Sequence, residues 1–157
     1  MSAFVDTSAF YALFVTEDAH HPAAVSCFEQ LRFGNMPLVS TNYVLLECAS
    51  LVQRRQGFEA ARMVLAKTAE LTDVIWIDQE AHDEGAALWA KTGSRAVSLV
   101  DCTSFSVMRA RGIRSAVTFD AQFAQAGFEV LPEPDRVSEL RGTYRVKARK
   151  NAHAKAH

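Results

Sequence analysis

Two features predict an α/β domain with three α/β/α layers around a central, mainly parallel five-stranded sheet. Short β-branched or aromatic runs alternate with longer helical ones, and most of the helical runs close at a glycine. Strands separated by helices require crossover connections, which are right-handed and lay the strands side by side in parallel. A chain of 157 residues, 49% apolar and 22% charged, is long enough for one domain with a full core.

The elements follow in order. Ala3 to Asp6 reads as a strand and Thr7 to Val15 as the helix after it. Pro22 to Phe33 is helical and stops at Gly34; Pro37 to Ser40 is a second strand, with proline tolerated at its first position. Asn42 is expected to cap a helix running to Gln56 and stopping at Gly57, with Arg54 and Arg55 suited to the negative end of its dipole. A helix over Phe58–Glu70 and a strand over Val74–Ile77 come next. Asp78 caps a helix through Lys91, and Ser98 caps one from Leu99 to Arg111 that closes at Gly112. Ser115–Phe119 is a fourth strand, Asp120 caps a short helix ending at Gly127, and Phe128–Leu131 is the fifth strand.

Four acids stand where these apolar elements would not ordinarily carry charge. Asp6 ends Ala3-Phe4-Val5, Glu47 lies between Leu46 and Cys48, Asp101 follows Leu99-Val100, and Asp120 closes Val117-Thr118-Phe119. A charge beside a core is costly unless it is paired or bound to a cation, and the adjoining residues supply no Lys or Arg. Ligands of such sheets bind beyond the carboxyl ends of the strands, where all four acids can converge. Asp6 and Asp120 have an alternative as N-caps, and Asp101 as a partner of its helix's positive end. Glu47, sharing a face with Tyr43 and Leu51, has no such role. Clustered carboxylates repel by roughly 1 kcal/mol per pair in water and by more near protein, so a divalent cation is the expected remedy. Oxygen-only ligands suit Mg²⁺ or Mn²⁺; without a positioned His or Cys, zinc is disfavoured. His20 and His21, expected in an exposed loop, and His82, on a helix, read as structural.

Other classes are excluded by composition. No apolar run approaches the roughly 20 residues that span a bilayer, and the N-terminus has no secretory pattern. Cys27, Cys48 and Cys102 are an odd set without CxxC spacing, which argues against a disulfide framework and for a reducing cytoplasm. The net charge of -1 conceals an asymmetry: from Arg141 onward there are six basic and no acidic residues, leaving 11 basic and 18 acidic residues, net -7, before it. Residues 1–134 are therefore read as the domain and 135–157 as a basic tail, with Arg145, Lys147, Arg149 and Lys150 as candidate RNA contacts.

The pieces Phe4-Val5-Asp6-Thr7-Ser8-Ala9, Glu47 in the helix after Ser40-Thr41-Asn42, Ser98-Leu99-Val100-Asp101, and Thr118-Phe119-Asp120-Ala121-Gln122-Phe123 with Gly127-Phe128-Glu129-Val130-Leu131 resemble, in order and spacing, the PIN-domain family. Within it they are similar to the single-domain VapC-type toxins of bacterial toxin–antitoxin pairs, over about residues 3–131. The resemblance implies a Mg²⁺- or Mn²⁺-dependent endoribonuclease that leaves 5′-phosphate and 3′-hydroxyl ends. It further implies a homodimer and a cognate antitoxin. Asp6, Glu47, Asp101 and Asp120 would be the catalytic metal-binding acids, with Ser8 and Thr118 as supporting polar groups. Alternatives are a housekeeping RNA-processing nuclease of the same family, a phosphoryl-transfer enzyme with Asp6 as nucleophile, and a silent RNA- or protein-binding module whose acids only cap helices.

Overall fold

The structure is a computed structural model that describes residues 1–134; the basic tail and its four candidate RNA contacts lie outside the described residues. Five strands, β1 (Ala3–Val5), β2 (Leu38–Thr41), β3 (Asp73–Ile75), β4 (Ser115–Val117) and β5 (Glu129–Leu131), form one sheet in the order β3-β2-β1-β4-β5. Every pairing is parallel, and helices flank the sheet, which bears out the α/β expectation. The helices are α1 (Thr7–Phe14), α2 (His21–Phe33), α3 (Asn42–Gln56), α4 (Phe58–Leu71), α5 (Gln79–Thr92), α6 (Leu99–Ala110) and α7 (Ala121–Gln125). No helix among them is long and apolar enough to cross a membrane.

The strand order has a functional consequence. From β1 the chain progresses outward through β2 and β3, then returns to the other side of β1 for β4 and β5. The switch point therefore falls between β1 and β4, where the loops leaving two neighbouring strands diverge and open a crevice. Asp6 follows β1 and Asp120 lies just beyond β4, so the topology alone puts both acids at that crevice.

The middle of the sheet is the core. Phe4, Val5 and Val117 are fully buried, together with Phe10, Val44, Val52, Met108 and Phe123 from the helices. Phe123 stacks on Phe4 at 6.3 Å and meets Phe105 edge-on at 4.9 Å, which anchors the short α7 and hence the Asp120 loop. Strands and helices lie within a few residues of the sequence-based positions. The N-cap of α3 differs: Thr41, not Asn42, accepts from the Val44 amide through its side chain. Asn42 is already helical, and its side-chain oxygen accepts from the Ile77 amide, tying α3 to the segment after β3. That segment leaves the sheet two residues earlier than expected, and Trp76 is 76% exposed.

Gly85 marks the closest approach of α5 to α6. A Cβ there would stand 2.8 Å from the Thr103 Cα and closer still to its hydroxyl, which donates to the Leu99 carbonyl inside α6. Backbone cannot yield as a flexible side chain would. Gly85→Ala is expected to destabilise the fold by about 1–3 kcal/mol despite the better helix propensity of alanine, measurable as a lowered urea midpoint.

Candidate active site

The four acids line one cavity of about 290 Å³, together with Thr7, Ser8, Leu51, Arg54 and Ser98. A larger cavity of about 630 Å³ lies at the opposite edge, against the first residues of β2 and β3, and is lined largely by apolar groups such as Phe28, Met36 and Leu71. Size favours the second, chemistry the first. Perturbed titratable groups gather only in the smaller one.

Each acid is fixed by its local structure. Asp6 leaves β1 in extended conformation and caps α1, its Oδ2 accepting from the Ser8 amide (3.2 Å), the Ser8 hydroxyl (2.8 Å) and the Thr118 hydroxyl (3.0 Å). The Thr118 hydroxyl in turn accepts from the Asp120 amide at 3.0 Å, and Ser8 Oγ from the Phe119 amide at 2.9 Å. The ends of β1 and β4 are thereby locked in register. Asp120 caps α7, accepting from the Gln122 amide through Oδ1. Asp101 completes a capping box with Ser98, whose amide and hydroxyl donate to Oδ2 at 2.7 and 2.8 Å. Glu47 projects from α3, half-buried, and Thr7 donates to its Oε2 at 2.6 Å.

Capping and clustering are therefore not alternatives. Three of the acids cap helix N-termini and still face the common cavity, because parallel strands deliver their following helices to one edge. Among the described residues, hydrogen bonds engage one oxygen of each carboxylate: Oδ2 of Asp6, Oε2 of Glu47, Oδ2 of Asp101 and Oδ1 of Asp120. The second oxygen of each accepts no such bond among the described residues.

The energetics point the same way. Burial pushes the Asp6 carboxyl up to about 6 against the help of its Ser8 hydrogen bonds, and the Asp101 charge adds to the rise. Glu47 is raised by burial, with Asp101 and Asp120 repelling its charge. Asp101 is raised by burial, opposed by its Ser98 bonds and assisted by Asp120. Anions held this way are stabilised by a cation. Among the described residues no three His, Cys, Asp or Glu side chains form a preformed cage; separate hydrogen-bond anchors hold the acids around the cavity wall. With all-oxygen donors and no His or Cys in the lining, the cavity fits a hard divalent cation.

Sequence reasoning missed Thr7, Ser98 and Arg54 as members of the site. Ser98 is read in the sequence as a cap only, and Arg54, seven residues after Glu47 on α3, as a partner of the helix dipole only. The three histidines among the described residues are engaged elsewhere: His20 stacks on Phe119 at 4.4 Å, His21 opens α2 with Nδ1 2.8 Å from the Ala12 carbonyl, and His82 Nδ1 lies 2.7 Å from the Tyr43 hydroxyl. His20 and His21 are half-buried, not in an open loop as expected, because α2 begins at His21. The cysteines are buried free thiols; burial raises Cys27 to about 11 and Cys48 to about 12, which removes them as nucleophiles.

With this geometry in place, the comparisons with known proteins are specific. The PIN domain family pattern matches residues 3–129. The chain is 40% identical over 135 residues to the 23S rRNA-specific endonuclease VapC20 of Mycobacterium tuberculosis, covering 83% of this chain and 98% of that protein. The crystal structure of M. tuberculosis VapC20, described as a sarcin–ricin loop cleaving toxin, superposes with a TM-score of 0.72 at 34% identity, over 81% of this chain and 96% of the other. VapBC2 from Rickettsia felis, bound to a DNA fragment from its promoter, gives a TM-score of 0.63 at 15% identity over 83% and 97% of the two chains, a likeness of fold alone.

Proposed function

Because the chain belongs to the PIN-domain family, we propose that it is a metal-dependent endoribonuclease acting as the toxin of a toxin–antitoxin pair, with the sarcin–ricin loop of 23S rRNA as its substrate. One observation carries the chemistry: four carboxylates, each with one oxygen outside the protein's hydrogen bonds, line a single cavity at the sheet's switch point. The substrate rests on the 40% identity to a relative matched over nearly its whole length.

Asp6, Glu47, Asp101 and Asp120 would hold Mg²⁺ or Mn²⁺. When bound, such an ion polarises the phosphoryl oxygen and makes water a stronger acid. The chain's own part is preorganisation. Ser8 and Thr118 fix the Asp6 carboxylate, Ser98 fixes that of Asp101, and Thr7 fixes Glu47, so little reorganisation accompanies the reaction. The aspartyl-phosphate alternative could use Arg54 to neutralise the transferred group, but it gives Glu47 no role, and Asp6, 4% exposed, is poorly placed for in-line attack.

The test is cleavage of a sarcin–ricin RNA hairpin by the purified chain with Mg²⁺ or Mn²⁺ and with EDTA. Metal-dependent cuts with 5′-phosphate and 3′-hydroxyl ends are expected; cleavage indifferent to EDTA would overturn the reading. A homodimer in the cytoplasm and an antitoxin that covers the acidic cavity complete the proposal. The tail is assigned RNA affinity without chemistry. A chain ending at Leu140 should bind the hairpin less tightly and with a shallower salt dependence, by roughly 0.7 per lost phosphate contact on a single strand, yet cleave at saturating RNA. Equal salt slopes for the two chains would remove the tail as an RNA contact.

A further inference from the structure

Among the described residues, Arg54 is the one basic residue lining the acidic cavity. Glu47, Leu51 and Arg54 follow at helical spacings of four and three, so one face of α3 presents an acid and a guanidinium to the same space. Among the described residues Arg54 has no ion pair, hydrogen bond or ring contact; the ion pairs there are Arg62–Glu59 and Lys67–Glu70, both on α4. Its neighbour Arg55 is used differently, over the Tyr11 ring at 5.3 Å. Favourable interaction with the helix dipole accounts for a basic residue in this last turn, but not for one that shares a cavity with four acids and pairs with none of them.

We propose that Arg54 anchors a backbone phosphate of the RNA in the acidic cavity, as a substrate-positioning residue of the nuclease. The inference rests on the ribonuclease reading above. An RNA backbone entering a cavity lined by four carboxylates meets repulsion unless a positive group faces it. A planar guanidinium is the side chain best matched to two phosphate oxygens at once, and Arg54 has no partner among the described residues to give up. The lining is bipolar: four carboxylates and one guanidinium share the same space.

The experiment measures binding of the sarcin–ricin hairpin by fluorescence anisotropy across a salt series in EDTA, where no RNA is consumed, alongside cleavage kinetics in Mn²⁺. Arg54→Ala should weaken binding about tenfold and reduce the salt slope by roughly 0.7–0.9, the share of one phosphate contact. It should raise KM more than it lowers kcat, and leave Mn²⁺ affinity equal or tighter. Arg54→Lys should recover the salt slope but only part of the affinity. Arg62→Ala, the control for loss of one positive charge, should match the wild type. Wild-type affinity and slope in Arg54→Ala would overturn the assignment while leaving the nuclease reading intact. Weakened RNA binding accompanied by loss of Mn²⁺ binding would also overturn it, because the residue would then be structural. A wild-type chain that neither binds nor cuts the hairpin would overturn both.

Discussion

Asp101→Asn is expected to lower RNA cleavage about 10³-fold while the protein stays folded. The two effects separate because the residue does two jobs with different atoms. An asparagine oxygen can still accept from the Ser98 amide and hydroxyl, so the capping box at the start of α6 survives. The other position loses its negative charge, and with it a ligand that no neighbour can replace. Circular dichroism should match the wild type, Mn²⁺ binding by calorimetry should be lost, and single-turnover cleavage should fall. Glu47→Gln should behave alike, since Thr7 can still donate to the side-chain oxygen. If expression of the wild-type chain arrests growth, Glu47→Gln should relieve the arrest. Full cleavage by either variant would remove that acid from the chemistry.

Asp6→Asn should make the metal-free protein more stable at pH 8, an unusual outcome for a buried, thrice hydrogen-bonded residue. Burial holds the native Asp6 carboxyl at about 6, against an ordinary value of 3.8. The native state therefore prefers the protonated acid. The stability contributed by that preference is fully present below pH 3.8 and is lost as pH rises through 6. Above that, ionised Asp6 costs the fold about 3 kcal/mol, which Asn avoids. Mn²⁺ at one thousand times its Kd reverses the order, because it stabilises only the wild type, by about 4.1 kcal/mol. Thermal melts at pH 4 and pH 8, with EDTA and with Mn²⁺, separate these contributions. A variant less stable than wild type at pH 8 in EDTA would show that the carboxylate is a net stabiliser and that the cavity does not need a cation.

Much of this was legible in the sequence because local chemistry and topology agree. Asp78 and Ser98 cap as read, and α5 and α6 close at Gly93 and Gly112, whose φ of 56° and 65° favour glycine. The acids were visible because charge at the end of an apolar run is costly wherever the run is placed. What stayed hidden depends on contacts across the sheet. Thr41 and Asn42 are both good caps, and the choice is settled by Asn42 reaching the Ile77 amide 35 residues away. Thr118 is named in the sequence only through the family resemblance, and what its hydroxyl does, bridging the Asp6 carboxylate and the Asp120 amide, is set by the pairing of β1 with β4. Arg54 was assigned to the helix dipole because its spacing from Glu47 acquires meaning only once α3 is known to line the cavity.

The central claim, that four acids far apart in sequence form one cation site, is tested most directly by paramagnetic broadening in the amide NMR spectrum during a Mn²⁺ titration. Ser8, Cys48, Cys102 and Gln122 are the reporters, since each lies within two residues of one acid. The account predicts that all four signals broaden together at substoichiometric Mn²⁺ and recover with EDTA. Broadening confined to one of them, or centred instead on Glu29, Glu70 and Asp73 around the larger cavity, would contradict it.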